Sequence, residues 1–546
     1  MRGQQVPGDE LSSEEAARDG LDGRPGDGRV ARLTGRLPGP VVRWLSVFAV
    51  SVGLFMVRFL VPVPVGQADN RDGPRLMCSL GLGPVVPHGD PRFFRYAYFA
   101  YVPSHSCATQ STYPSSEVVP LELARLLTPL FRLPGTVNLI AVGVLMCVLA
   151  SIGIASLATG LRLRPWAQLL VAGALWLILA DAAFFDVYSG PFSDPAALTG
   201  LLLVAAGVVY LGRGWSAALR GLALAGSGGL LVILSKEQYL ILVVPICLTL
   251  VLASADRGGE SQGGRRSRGL GRFGTRQTGA AVAVAALLGA AAAAYWSWDN
   301  SSRFAAHLHH EQAVNMIFED IVNGHDNAAA DLRALGLPVS WAKYAGDYYW
   351  KNVSVRTDPL FARYQGKLTD GNIARFLLTH PGRMVSIAQQ AAVLAEQYRI
   401  TSLGDYPTSA GHPPGAVESR VAVVTWLMRW LSARAGLPWL LALWAAMATV
   451  AAVSLAWRRG DSWRRDTAAV VLCMTGCAVL TFIPPAFFDG ISTTRHMVGM
   501  NLATTLAFAL SVALTVPMIS QGVARLRRRA EPPAAVAVPE LAKPGT

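Results

Sequence analysis

The chain alternates long apolar runs with two extended polar stretches, and the runs set the first expectation. Runs able to cross about 30 Å of hydrocarbon occur near 41–65, 135–160, 166–183, 195–212, 221–235, 239–254, 277–297, 437–457, 468–486 and 497–518. This pattern predicts an all-α polytopic membrane protein with about ten transmembrane helices. The run at 221–235 is short and glycine-rich, and is the one that a re-entrant segment would replace. Residues 1–40 are polar, rich in Gly, Asp and Arg, and lack apolar periodicity, the pattern of a disordered tail. The first run is too long for a signal-peptide core and has no small-residue cleavage site, so it is expected to remain as an anchor.

The two long polar stretches, 66–134 and 298–436, carry their own periodicity. In the second, 331–337, 370–378 and 386–395 place apolar residues three and four apart, with a break at His380-Pro381-Gly382. Ile373, Phe376 and Leu377 should share one face. Residues 421–434 mix Arg429 and Arg434 with large apolar side chains, which predicts a helix lying in the membrane interface. Residues 115–131 predict a second amphipathic helix, capped by Ser115 or Ser116. The expected organisation is a tail (1–40), a transmembrane module (41–297) with its first loop at 66–134, a small helical domain (298–436), further membrane helices (437–520) and a second tail (521–546).

Composition agrees with the pattern. Of 546 residues, 52% are hydrophobic and only 15% charged, against roughly 25% charged in soluble domains, and the mean hydropathy is +0.36. The 48 Lys plus Arg exceed the 35 Asp plus Glu, a formal charge of +13. In a soluble chain this excess would suggest nucleic acid. Here it falls on the tails, the inner end of the first span and the short loops at 162–164, 213–220, 257–276 and 458–465, leaving the two long stretches near balance. That asymmetry is a topology signal: both termini cytoplasmic, both long segments on the outer face, and no nucleic-acid partner. Arg outnumbers Lys by 43 to 5, with Ala, Gly and Val abundant, as in high-G+C bacteria; the expected location is a bacterial plasma membrane.

Candidate chemistry gathers in the outer segments. Asp69 and Asp72 stand just beyond the first span, where a carboxylate can deprotonate an acceptor hydroxyl beside a lipid-linked co-substrate; they equally suit turn and capping roles for a helix near Pro74. Arg75 and Glu117 lie further along the same loop. Asp186 and Asp194 bracket a turn, Lys236 and Glu237 occupy another, and Asp489 precedes Arg495 and His496. A Lys and an Arg at this level can pair with phosphate oxygens or simply snorkel to the headgroups. His307, His309, His310 and Glu311 form the His-rich cluster, whose spacing matches no standard zinc motif. Cys78 and Cys107 share the first outer loop, where a disulfide and two free thiols are both open. No Walker loop, dinucleotide fingerprint or G-x-S-x-G is present, which disfavours ATP- and NAD-dependent chemistry.

Several short motifs carry a family resemblance. They are Asp69 to Asp72 followed by Arg-Leu-Met and Gly-Leu-Gly up to residue 83, Tyr-Pro-Ser-Ser-Glu at 113–117, Asp-Pro-Ala-Ala-Leu at 194–198 and Ser-Lys-x-Gln-Tyr at 235–239. His-Pro-Gly-Arg at 380–383, Asp-Gly-x-x-x-x-Arg-His at 489–496 and Asn501-Leu-Ala complete the set. With these the chain resembles the WsfD-type hexose transferases of surface-glycan biosynthesis, in the GT-C class of polyprenyl-phosphate-sugar-dependent glycosyltransferases. The resemblance implies inverting transfer of a hexose from a polyprenyl-phosphate carrier to a glycan or lipid-linked acceptor at the outer face, among membrane lipids. It implies Asp72, with Asp69 second, as catalytic base, and Lys236, Arg495 and His496 as carrier-phosphate ligands. Asp194 would orient sugar hydroxyls or a divalent cation (Mg²⁺ or Mn²⁺), with Glu117 and Arg75 in the same substrate-binding set. Two other classes compete: a transporter or flippase of lipid-linked sugars, which would place charges near the bilayer midplane and show repeated halves, and a glycan polymerase or ligase, which would transfer an assembled chain.

Overall fold

In hydrocarbon no water is available to backbone N–H and C=O groups, so an apolar run must close its hydrogen bonds within itself. The computed structural model describes residues 39–69, 72–85, 91–108, 112, 114–213, 215–255, 275–300, 302–323, 327–400, 403–456, 462–490 and 493–530. The chain forms two compact units, Met1–Arg43 and Trp44–Thr546; of the first, only residues 39–43 are described. The predicted tail over 1–38, the second tail beyond 530, the basic loop at 256–274, and Asn70, Arg71, Asp90 and Tyr113 lie outside the described residues.

Every predicted span is helical. They are α1 (Pro40–Leu60), α4 (Leu139–Gly160), α5 (Pro165–Ala180), α7 (Asp194–Leu211), α8 (Trp215–Ile233), α9 (Val243–Ala255), α10 (Thr275–Asn300), α17 (Leu437–Ala456), α18 (Ser462–Phe487) and α20 (Val498–Ala530). Between them lie α2 (Asp72–Met77), α3 (Val118–Leu130), α6 (Ala182–Phe185), α11 (Ser302–Asn315), α12 (Ala328–Ala334), α13 (Phe361–Tyr364), α14 (Asp370–Thr379), α15 (Pro381–Ala395), α16 (Val423–Ser432) and α19 (Thr493–His496). Among the described residues, eight helices are long and apolar enough to cross a membrane, or nine if the pair α5 and the 182–189 segment, bent by 60°, counts as one span. The tenth predicted span, 239–254, is a shorter apolar helix led by a 3₁₀ turn. Among the described residues the weak member is thus 239–254 rather than 221–235.

The glycine-rich run is continuous in α8 because its glycines are packing surface. A Cβ on Gly207 would stand 2.5 Å from the Ala225 nitrogen, one on Gly200 2.6 Å from the Gly228 carbonyl, and one on Gly228 2.7 Å from the Gly200 carbonyl. Small residues let α7 and α8 approach backbone to backbone, the general device of helix association in lipid. α7 is almost wholly buried at the centre of the bundle, while Val282, Tyr295 and Trp296 of α10 are exposed. The main core runs through α4, α7, α18 and α20.

A second core forms in the 298–436 segment around Phe318, Trp341, Ile373, Phe376 and Leu377, so the predicted shared face of α14 is the buried one. α12, α14 and α15 match the periodicity. α16 is amphipathic: Trp426 and Trp430 are 67% exposed while Val424 and Met428 are buried. Its N-terminus is anchored by Asp181, at the bend between α5 and α6, which accepts from the Val424 and Thr425 amides (2.9 and 3.0 Å) and from the Thr425 hydroxyl.

Three local features differ from expectation. Ser115 and Ser116 do not cap α3 by side chain to its inner amides; their hydroxyls donate to the Ser235 and Leu231 carbonyls (2.7 and 2.6 Å) and tie the first loop to the end of α8. A small antiparallel sheet, β1 (Leu82–Pro84), β2 (Ala100–Pro103) and β3 (Val137–Asn138), braces that loop with β2 in the middle. It escaped the sequence because each strand has only two to four residues, too few for a period of two to register. Finally, α20 continues to Ala530, through the start of the expected tail.

Candidate functional site

The first loop leaves α1 in extended form and pairs with a distant loop: the Gly66 N–H donates to the Asp405 carbonyl (3.1 Å) and the Ala68 N–H to the Gly404 carbonyl (2.7 Å). This clamp fixes where α2 begins. Asp69 then accepts from the Gly73 N–H (3.0 Å), so one of its oxygens serves the capping role that its turn chemistry predicted. A disulfide between Cys78 and Cys107 joins the segment after α2 to the 3₁₀ turn that follows β2.

Asp72, the first residue of α2, faces α19 instead. Its Oδ2 accepts from Arg495 Nη1 at 2.6 Å, and its Oδ1 lies 3.5 Å from Arg75 Nη1. Burial alone would raise this carboxyl, but Arg495, Lys236 and Arg75 outweigh it and hold Asp72 well below the usual carboxylate range. Arg495 is 4% exposed, its guanidinium 4.0 Å above the Phe192 ring and its Nε 3.6 Å from Asp194. Asp194 opens α7 and is 1% exposed, in the position where a helix N-terminus favours negative charge. Glu117 sits at the same helix end, accepting from the Ala196 N–H (2.8 Å); burial pushes its carboxyl well up, that amide bond opposes the shift, and Asp194 adds to it.

Lys236 comes from the turn after α8. Its Nζ is buried without a hydrogen-bond partner among the described residues. Burial lowers the ammonium to about 8, even with Asp194, Asp72 and Glu237 supporting its charge. His496 Nδ1 lies against the Asp489 carboxylate, and its carbonyl accepts from Gln238 (3.2 Å). Burial, then Lys236, drives this imidazole toward the neutral form. Five sequence positions spread from 72 to 495 thus converge: Asp72, Arg75, Asp194, Lys236 and Arg495, with Glu117 and His496 behind them.

α11 covers one side of this cluster. Glu311 Oε2 lies 3.7 Å from Arg75, and His309 stands between Glu237 (3.9 Å) and Asp370 (3.1 Å). His310 packs on Phe361, and the His307 side chain lies outside the described residues. The His-rich cluster therefore diverges among different partners, and among the described residues no group of three or more His, Cys, Asp or Glu side chains has the arrangement to hold a metal ion. Asp194 does not fit a divalent cation either, since Arg495 already faces it and Lys236 adds a second positive charge.

A second ionic cluster, which the sequence reading did not assemble, lies beside the first. Arg399 Nη2 bridges Asp186 (2.9 Å) and Asp405, and Arg58 reaches Asp186 (3.6 Å) and Glu418. Arg58 was the available signal: an arginine inside a 21-residue apolar helix needs a partner. A cavity lined by Gln67, Asp186, Asp194, Arg399, Asp405 and Arg495, among others, connects the two clusters.

No curated protein and no solved structure matches the chain. The family model of the YfdI N-terminal transmembrane domain matches residues 39–530, nearly the whole of the helical region, and the chain belongs to that family of polytopic membrane domains.

Proposed function

We propose that the protein is a membrane glycosyltransferase of GT-C type, resembling the WsfD-type enzymes, that moves a hexose from a polyprenyl-phosphate carrier to a cell-surface glycan or lipid-linked acceptor. The reading places the reaction at the outer face of a bacterial plasma membrane, with both termini inside. The observation that carries it is the meeting of a carboxylate at the start of α2 with Arg495 and the buried ammonium of Lys236, which has no hydrogen-bond partner among the described residues. A family of polytopic membrane domains is compatible with this chemistry.

In this mechanism Asp72 takes the proton of the acceptor hydroxyl. The hydroxyl oxygen bonds to the anomeric carbon as the bond from that carbon to the phosphate oxygen breaks, and the electron pair leaves on the polyprenyl phosphate. Attack opposite the leaving group inverts the anomeric centre. Arg495 and Lys236 stabilise the charge that develops on the phosphate, Asp194 steadies Arg495, and Asp69 holds the turn that presents Asp72. Asp72 in its resting pair is a poor base. Binding of the carrier phosphate draws Arg495 off and restores basicity, so the base is released when donor is present. Charged groups at helix ends favour an enzyme over a flippase, whose charges would sit at midplane. The test is transfer of a single hexose by the reconstituted protein, alongside the surface-glycan composition of a deletion strain; transfer of an assembled chain would favour a polymerase or ligase.

A further inference from the structure

The cavity between the two ionic clusters is small, and polar groups interrupt its apolar lining. It measures about 20 Å³, and a single water needs roughly 10–15 Å³ on this scale, so it admits one oxygen-sized group rather than a ring. Ala182, Val187, Ile400 and Val498 supply apolar wall, and the charged and amide groups stand between them. Arg399 is held by Asp186 and Asp405, and Asp194 and Arg495 close the side nearest Asp72. Gln67, held over this space by the backbone bonds of Gly66 and Ala68 to residues 404–405, is 5% exposed, and its Oε1 has no hydrogen-bond partner among the described residues. An unsatisfied buried carbonyl oxygen is destabilising, and a donor from outside would relieve it.

Resting on the glycosyltransferase reading, we propose that this notch reads one hydroxyl of the transferred sugar, with Gln67 and the Arg399–Asp186–Asp405 group as specificity-determining residues. Arg495 forms both the phosphate side of the site and a wall of the notch, so a glycosyl phosphate bound at Arg495 has its sugar at the mouth. The hydroxyl donates to Gln67 Oε1 or a carboxylate and accepts from Arg399. A site built to bond a hydroxyl rejects the analogue lacking it far more strongly than an apolar pocket can.

The test uses full-length protein in liposomes, with a polyprenyl-phosphate hexose that it transfers and the 2-, 3-, 4- and 6-deoxy forms of that donor. Wild type should lose at least about a hundredfold in kcat/KM on one analogue and little on the other three. Gln67→Met should bring parent and that analogue to within a few-fold of each other by slowing the parent, while Gln67→Glu, which keeps an acceptor, should preserve the gap. Equal handling of all four analogues by wild type, as expected if the notch only houses a structural water, overturns the proposal even if neither variant folds. So does full discrimination in Gln67→Met. Failure of wild type to transfer any hexose overturns the glycosyltransferase reading itself, which is a separate outcome.

Discussion

Asp72 and Arg495 lie 423 positions apart in sequence and 2.6 Å apart in space. The pair joins the beginning of the first loop to the turn between the last two long helices, and it places a carboxylate beside the cation that the proposed leaving group requires. Its two partners have opposite consequences for substrate. Asp72→Asn removes the base and should lower kcat by about 10²–10⁴-fold. The same change frees Arg495, so affinity for polyprenyl phosphate should rise by roughly tenfold, the scale of one charge-assisted hydrogen bond. Equilibrium binding of the carrier to both proteins checks this, and weaker binding in the variant would contradict the masking role.

Lys236 sets the pH dependence. Burial brings its ammonium to about 8 in the free protein, so it is protonated below that pH and neutral above it. Phosphate binding needs the charged form. kcat/KM for the donor should therefore be flat up to about pH 8 and then fall roughly tenfold per pH unit. Lys236→Arg should remove the fall, because arginine stays charged throughout this range. A profile of unchanged shape in the arginine variant would take Lys236 out of the phosphate site.

The α7–α8 contact offers a test of the fold independent of the chemistry. Gly207→Val forces a branched side chain where even a Cβ would stand 2.5 Å from the Ala225 nitrogen. Overpacking of this kind costs about 1–3 kcal/mol, and the detergent-solubilised variant should unfold at a clearly lower temperature. Gly226→Ala, with open space around its Cβ position, should leave the melting temperature within a degree or two of wild type.

Orientation follows from the charge distribution and is open to direct labelling. Ser409 is exposed in the 298–436 segment, whereas the four free cysteines are buried. Ser409→Cys should react with a membrane-impermeant maleimide on intact cells, and a cysteine introduced at the exposed Arg164 should react only after lysis. The reverse pattern would invert the proposed topology. Non-reducing peptide mapping should recover Cys78 and Cys107 as one linked species.

Much of the fold was legible because lipid imposes a simple code: apolar runs become helices, and Ile373, Phe376 and Leu377 repeat at helical spacing. Glycine misled that code, since in Gly200, Gly207 and Gly228 it marks contact between helices rather than a break. The ends of spans were harder, because Ser115 and Ser116 are good caps by type, yet their hydroxyls reach carbonyls more than a hundred residues away. The individual members of the site were visible as charges beside membrane runs. Their assembly was implied only by the family resemblance, since nothing local to Asp72 specifies Arg495. The Arg399–Asp186–Asp405 group escaped for the same reason, although Arg58 within an apolar helix indicated that buried acids had to exist nearby.

The most direct measurement is single-turnover transfer from a radiolabelled polyprenyl-phosphate hexose by the purified protein in liposomes, comparing wild type with Asp72→Asn at equal folded concentration. The account predicts release of polyprenyl phosphate and labelled acceptor with inverted anomeric configuration by wild type, and binding without transfer by the variant. Transfer at the wild-type rate by Asp72→Asn, or retention of configuration in the product, would contradict it.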